Sequence, residues 1–61
     1  MNKKYTAVIK QGENWEFLCR LKDLDIVTIN AKVTARSRKC KARVLDGRKP
    51  IVKINEQGEE E

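Results

Sequence analysis

The sequence predicts a mainly β fold: a small single-domain antiparallel sheet or open barrel of about five short strands, with room for one short helix. Three observations carry that expectation. Apolar and polar residues alternate through several stretches of the chain, the two-residue period of half-buried strands. Glycine-containing turn signals, Gln11-Gly12-Glu13-Asn14 and Asp46-Gly47, interrupt the alternation. A 61-residue chain buries only about 60% of the surface its unfolded form exposes, which suits one thin-cored domain.

The first two runs read as a hairpin. Tyr5, Ala7 and Ile9 alternate with Thr6 and Lys10, and Trp15, Phe17, Cys19 and Leu21 alternate with Glu16, Arg20 and Lys22. A register with Ile9 opposite Phe17 and Ala7 opposite Cys19 brings Lys10 across from Glu16, an opposite-charge pair that favours it. Leu18, Leu21 and Leu24 also repeat at helical spacing with Asn14 as an N-cap, so residues 14–24 admit a helix, with the strand preferred. Trp15 and Phe17 share the apolar phase and are expected to anchor the core.

After a turn at Lys22-Asp23-Leu24-Asp25, residues 27 to 35 give the cleanest alternation, with Val27, Ile29, Ala31, Val33 and Ala35 on one side. A third strand is expected there. The apolar phase then moves to Cys40, Ala42 and Val44, which a turn or bulge at residues 36 to 39 explains. As a hairpin, Ala35 faces Cys40, Val33 faces Ala42 and Ala31 faces Val44, leaving Lys32 across from Arg43. Residues 31–45 also admit a helix. The last strand runs Ile51-Val52-Lys53-Ile54 after Pro50, which lacks an amide hydrogen and so places the strand's beginning at a sheet edge or outside the ladder. Pairing Cys40 with Ile54 and Ala42 with Val52 sets Lys41 opposite Lys53. The domain spans residues 1–55, and residues 56–61, with no apolar side chain, read as a disordered acidic tail that either aids solubility or folds back to screen the basic surface, the first being preferred.

Charge is partitioned along the chain. Residues 32 to 53 hold nine Lys or Arg against one acid, while residues 54 to 61 hold four Glu and no cation, within a net charge of +5. Five of the eight residues from Arg36 to Arg43 are cationic. This concentration is the footprint of a surface that meets phosphates. Other chemistries are disfavoured. With no His and two separated cysteines, neither a zinc site nor the usual nucleophile–base pair can be assembled, so no metal, cofactor or enzymatic activity is expected. Cys19 and Cys40 read as small buried hydrophobes. No apolar run approaches the length of a membrane span or signal segment, which points to a soluble, cytoplasmic protein without membrane attachment. The thin core makes a homodimer a fair expectation.

The segment Tyr5-Thr6-Ala7-Val8-Ile9, followed by Gly12, Trp15, Cys19 and Leu24-Asp25-Ile26-Val27-Thr28, resembles the opening three strands of HicB-like antitoxin proteins. The resemblance covers residues 4 to 29. It implies a strand-rich beginning and a small partner-binding chain that neutralises an RNA-cleaving toxin. Where that family continues into an acidic, alanine-rich helix, and in longer members a DNA-binding domain, this chain carries the basic segment Lys32 to Arg43.

Two functional expectations follow. In the first, Lys32, Arg36, Arg38, Lys39, Lys41 and Arg43 contact the phosphates of DNA or RNA with low sequence specificity, and Arg48, Lys49 and Lys53 extend the track. In the second, the chain is a small inhibitor or antitoxin-like protein that docks its basic face or an edge strand on a partner enzyme. Both readings place the cations together on one wet side of the sheet.

Overall fold

The computed structural model describes residues 3 to 61. The element order is β1 (Tyr5–Gln11), β2 (Asn14–Leu21), α1 (Leu24–Arg38), β3 (Ala42–Asp46) and β4 (Lys49–Ile54). Four antiparallel strands form one open sheet in the order β2-β1-β3-β4, so the fold is mainly β with one helix. Because β2 and β3 both run antiparallel to β1, they are parallel to each other, and α1 is the crossover that carries the chain from one to the other.

Two tight hairpins set the strands. Gln11 pairs with Asn14 and Asp46 with Lys49, so each loop has two residues and opens on a glycine, Gly12 at φ 64° and Gly47 at φ 65°. Positive φ at the first loop position matches the twist of the flanking strands, and glycine adopts it without steric cost. Within the first hairpin Ala7 does pair with Cys19, as its alternation requires. Beyond that pair the register slips: Phe17 faces Val8, Glu16 faces Ile9 and Trp15 faces Lys10, in place of the expected Ile9–Phe17 and Lys10–Glu16 pairs. The cause is a bulge at Leu18. Leu18 and Cys19 both pack against the core, and the extra residue reverses the facing of everything before it.

The third expected strand is a helix. Residues 24 to 38 form α1, so Leu24–Thr28, the run from Val27 to Ala35 and the proposed bulge at 36–39 all belong to it or its cap. Both periods share part of one residue set. Val27, Ala31 and Ala35, four apart, are fully buried, whereas the intervening Ile29 and Val33 are 58% and 62% exposed, which an alternating strand would not allow. Local signals close the helix at each end. The Asp23 carboxylate accepts hydrogen bonds from the amides of Asp25 and Ile26, and Lys39 ends the helix in the left-handed region at φ 54° with its N–H directed to the Ala35 carbonyl. Asp25 in the first turn and Arg36 and Arg38 in the last suit the helix dipole. The expected pairings of Ala35 with Cys40, Val33 with Ala42, Ala31 with Val44 and Lys32 with Arg43 therefore do not form, and the described residues hold four strands where about five were expected.

The helix covers one face of the sheet. Ala7, Ile9, Ala42, Val44 and Ile54 from the strands meet Val27, Ala31 and Ala35 from α1, all at most 2% exposed. Alanines on both sides let the helix approach closely. In the second hairpin Ala42 pairs with Ile54, Arg43 with Lys53 and Val44 with Val52, two residues from the expected register and in the same phase. β4 is an edge strand, consistent with Pro50 within it. The segment after β4, expected as a disordered tail, folds back instead. Asn55 N–H donates to the Glu59 carbonyl, Gly58 N–H to Asn55 and Glu61 N–H to Lys53, and Glu60 bridges to Ile54. Gly58, at φ 81°, lies so close to α1 that a Cβ there would stand 2.8 Å from the Lys32 carbonyl.

The close helix–sheet contact makes a sharp prediction. Ala31→Leu forces a larger side chain into a fully buried contact and should lower unfolding stability by about 1–3 kcal/mol, measured by urea denaturation. Val33→Thr on the exposed side should change it by less than about 0.5 kcal/mol. Equal losses would contradict the facing of the helix.

Candidate functional site

The face of the sheet turned away from α1 carries the site. Following the register from the buried residues, it presents Thr6, Val8 and Lys10 from β1, Trp15, Phe17 and Arg20 from β2, Arg43 and Leu45 from β3, and Lys53 from β4. One continuous row crosses all four strands: Phe17, Val8, Arg43 and Lys53. None of these positions is acidic. Trp15 and Phe17, expected in the core, lie here because of the bulge at Leu18, and are 36% and 67% exposed. The Arg43 guanidinium sits 4.3 Å from the centre of the Trp15 ring, a cation–π contact between β3 and β2. The result is two aromatic rings set among four cations on a water-exposed surface.

At one end of this face a shallow basic groove continues the positive surface. It is lined by Lys10, Gln11 and Gly12 of the first hairpin, by Arg38, Lys39, Cys40 and Lys41 between α1 and β3, and by Glu56. Lys10 belongs to both surfaces, since it lies cross-strand from Trp15. The Lys39 side chain reaches the groove from a left-handed backbone position, a conformation that costs a non-glycine residue about 1–2 kcal/mol. Lys39 is the one non-glycine residue with positive φ among those described.

The nine cations expected to act together fall into four groups. Arg43 and Lys53 face each other on the open sheet face. Arg38, Lys39 and Lys41 line the adjoining groove. Lys32 and Arg36 are on the helix, where Lys32 Nζ pairs with Glu60 Oε2 at 2.8 Å and Arg36 lies against Gly58. Arg48 lies in the β3–β4 turn and Lys49 opens β4, at the opposite end of the sheet. The single wet side is therefore corrected: a helix turns 100° per residue and radiates cations that a strand would have aligned. Beside that far turn, Lys3 Nζ pairs with Asp46 Oδ2 at 2.9 Å, and this hydrogen bond and charge attraction raise the Lys3 pKa above its ordinary 10.5.

The missed residues are Trp15, Phe17, Lys10 and Arg20. One signal for them was present. Phe17-Leu18-Cys19 is an unbroken apolar triplet inside an alternating strand, as a bulge with two inward residues produces. Cys19 and Cys40 are unpaired and half-buried against the core. Among the described residues no helix is long and apolar enough to cross a membrane, and no group of three or more His, Cys, Asp or Glu is placed to hold a metal ion.

No family model matches the chain, and neither a curated protein nor a solved structure matches it.

The electrostatics of the open face can be read through its own chromophore. Trp15, the chain's single tryptophan, sits among cations, so iodide should quench its fluorescence more efficiently than caesium at matched ionic strength. Arg43→Ala should raise accessibility to neutral acrylamide and reduce the iodide preference. Stronger quenching by caesium would contradict the placement of Trp15.

Proposed function

We propose that this protein binds single-stranded nucleic acid on the uncovered face of its sheet, with low sequence specificity. Trp15 and Phe17 stack on bases, Arg43, Lys53, Lys10 and Arg20 neutralise the flanking phosphates, and the groove of Arg38, Lys39 and Lys41 guides the backbone away from the face. The observation that carries this reading is the exposure of two aromatic rings among cations on a face without a carboxylate. Every base offers a π-face, so stacking tolerates any sequence, and the cations supply the salt-dependent part of the affinity. A flat sheet with projecting rings suits splayed bases better than a duplex groove, which takes a helix or a two-stranded ribbon. Lys32, Arg36, Arg48 and Lys49 stand apart from this surface and contribute at most a general attraction.

Fluorescence polarisation with short single-stranded RNA, single-stranded DNA and duplex DNA tests the proposal. Both single strands should bind more tightly than the duplex. Phe17→Ala should weaken single-strand binding by about 1–3 kcal/mol. Arg48→Ala with Lys49→Ala should change it by less than about twofold, since these contacts lie off the track. With about four phosphates engaged, log affinity should fall against log salt with a slope of about −3. Preferential duplex binding, or a Phe17→Ala variant with full affinity, would overturn the reading.

Lys39 adds an independent check, because its fold and its proposed role pull in opposite directions. Lys39→Gly relieves the left-handed strain and should raise stability by about 0.5–1 kcal/mol, while lowering single-strand affinity several-fold. A variant that gains affinity together with stability would remove Lys39 from the site.

A further inference from the structure

The outer side of α1 carries a second apolar feature. Ile26, Ile29 and Val33 recur at helical spacing along the crest opposite the buried stripe, and are 50%, 58% and 62% exposed. Three β-branched side chains there do not serve helix formation, for which alanine, leucine or a straight-chain polar residue is better. They do not serve the core either, which Val27, Ala31 and Ala35 complete from the other side.

We propose that this crest docks antiparallel on the same crest of a second copy of this chain. Of the charges the helix itself carries beside the crest, Asp25 and Arg36 are self-complementary only in that orientation. Asp25 stands in the first turn and Arg36 in the last, about three turns apart and therefore on one flank of the crest. The antiparallel register that sets Ile26 against Val33 of the second copy brings Asp25 within one turn of the second copy's Arg36, on the same flank, twice across the two-fold axis. A parallel pairing would instead bring Arg36 level with Arg36 and Asp25 level with Asp25, and would align the helix dipoles. Lys32, on the same flank, already has Glu60 as its partner.

The other exposed apolar surface is unsuited to this role. Trp15 and Phe17 share their face with Lys10, Arg20, Arg43 and Lys53, so two copies meeting there would bring only like charges together. Helix-to-helix docking leaves both uncovered sheet faces pointing outward, and the dimer carries two separate copies of that face. The contact is a single pair of crossing helices, at the small end of specific interfaces, below about 1,200 Å². Association is accordingly reversible and dependent on concentration.

Sedimentation equilibrium of the full chain, from low micromolar to near millimolar, tests this directly. The apparent mass should rise from 7.1 kDa toward twice that value. Val33→Glu and Ile29→Lys should each weaken association at least about tenfold, while circular dichroism melting shows the fold retained, both side chains being more than half exposed. Arg36→Glu should weaken association and Arg36→Glu with Asp25→Arg should restore it, which fixes the antiparallel register. A constant monomer mass would overturn the proposal. So would association insensitive to both crest variants, a Phe17→Glu variant that alone abolishes the dimer, or a charge swap that fails to restore it.

Discussion

A single helix can cover only one face of a four-stranded sheet, and the rest of this structure depends on that limit. Val27, Ala31 and Ala35 close one face against Ala7, Ile9, Ala42, Val44 and Ile54. Among the described residues there is no second helix to close the other. That other face must stay wet, and the sequence fills it with lysine, arginine and threonine beside a few apolar groups. The bulge at Leu18 then places two of the chain's three aromatic side chains on the wet side. A fold starved of core that nonetheless exposes a tryptophan and a phenylalanine has put burial second to presentation at that position.

Much of the sheet was legible in the sequence because strand alternation and turn chemistry are local. The first hairpin, the Ala7–Cys19 pair, the Asp46-Gly47 turn and the edge position of Pro50 all follow from neighbouring residues. The helix was not, since Val27, Ala31 and Ala35 satisfy both an alternating strand and a four-residue helical spacing. Only the exposure of Ile29 and Val33 separates the two, and exposure is a tertiary fact. The local signals that favoured the helix were Asp23 as an N-cap, Asp25 in the first turn and Arg36 and Arg38 in the last. The candidate site shows the same division. The count of cations was visible and their directions were not, because Lys32, Arg36 and Arg38 lie on a helix and Arg43 and Lys53 on strands. Arg43 and Lys53 share a face because both hairpin strands kept their phase when the register moved by two residues.

The two sides of the molecule divide its work by charge. On the sheet side, cations stand among the aromatic rings without acidic partners on that face, and their like charge opposes a second copy of the same face. On the helix side, opposite charges sit at opposite ends of an apolar crest and fit a second copy. The C-terminal turn belongs to the helix side, with Gly58 against Lys32 and Arg36 and Glu60 paired to Lys32. It thereby gives one helix cation an acidic partner, whereas the cations that the register places on the open face have no acid among them.

The most direct test of the central claim is a two-dimensional NMR titration of the labelled chain with a short single-stranded oligonucleotide. Shifts should concentrate on the amides around Lys10, Trp15, Phe17, Arg43 and Lys53 and on the Trp15 indole N–H, with the groove residues Lys39 and Lys41 following. Shifts confined to Ile29, Lys32, Arg36, Arg48 and Lys49, with the indole unmoved, would contradict it.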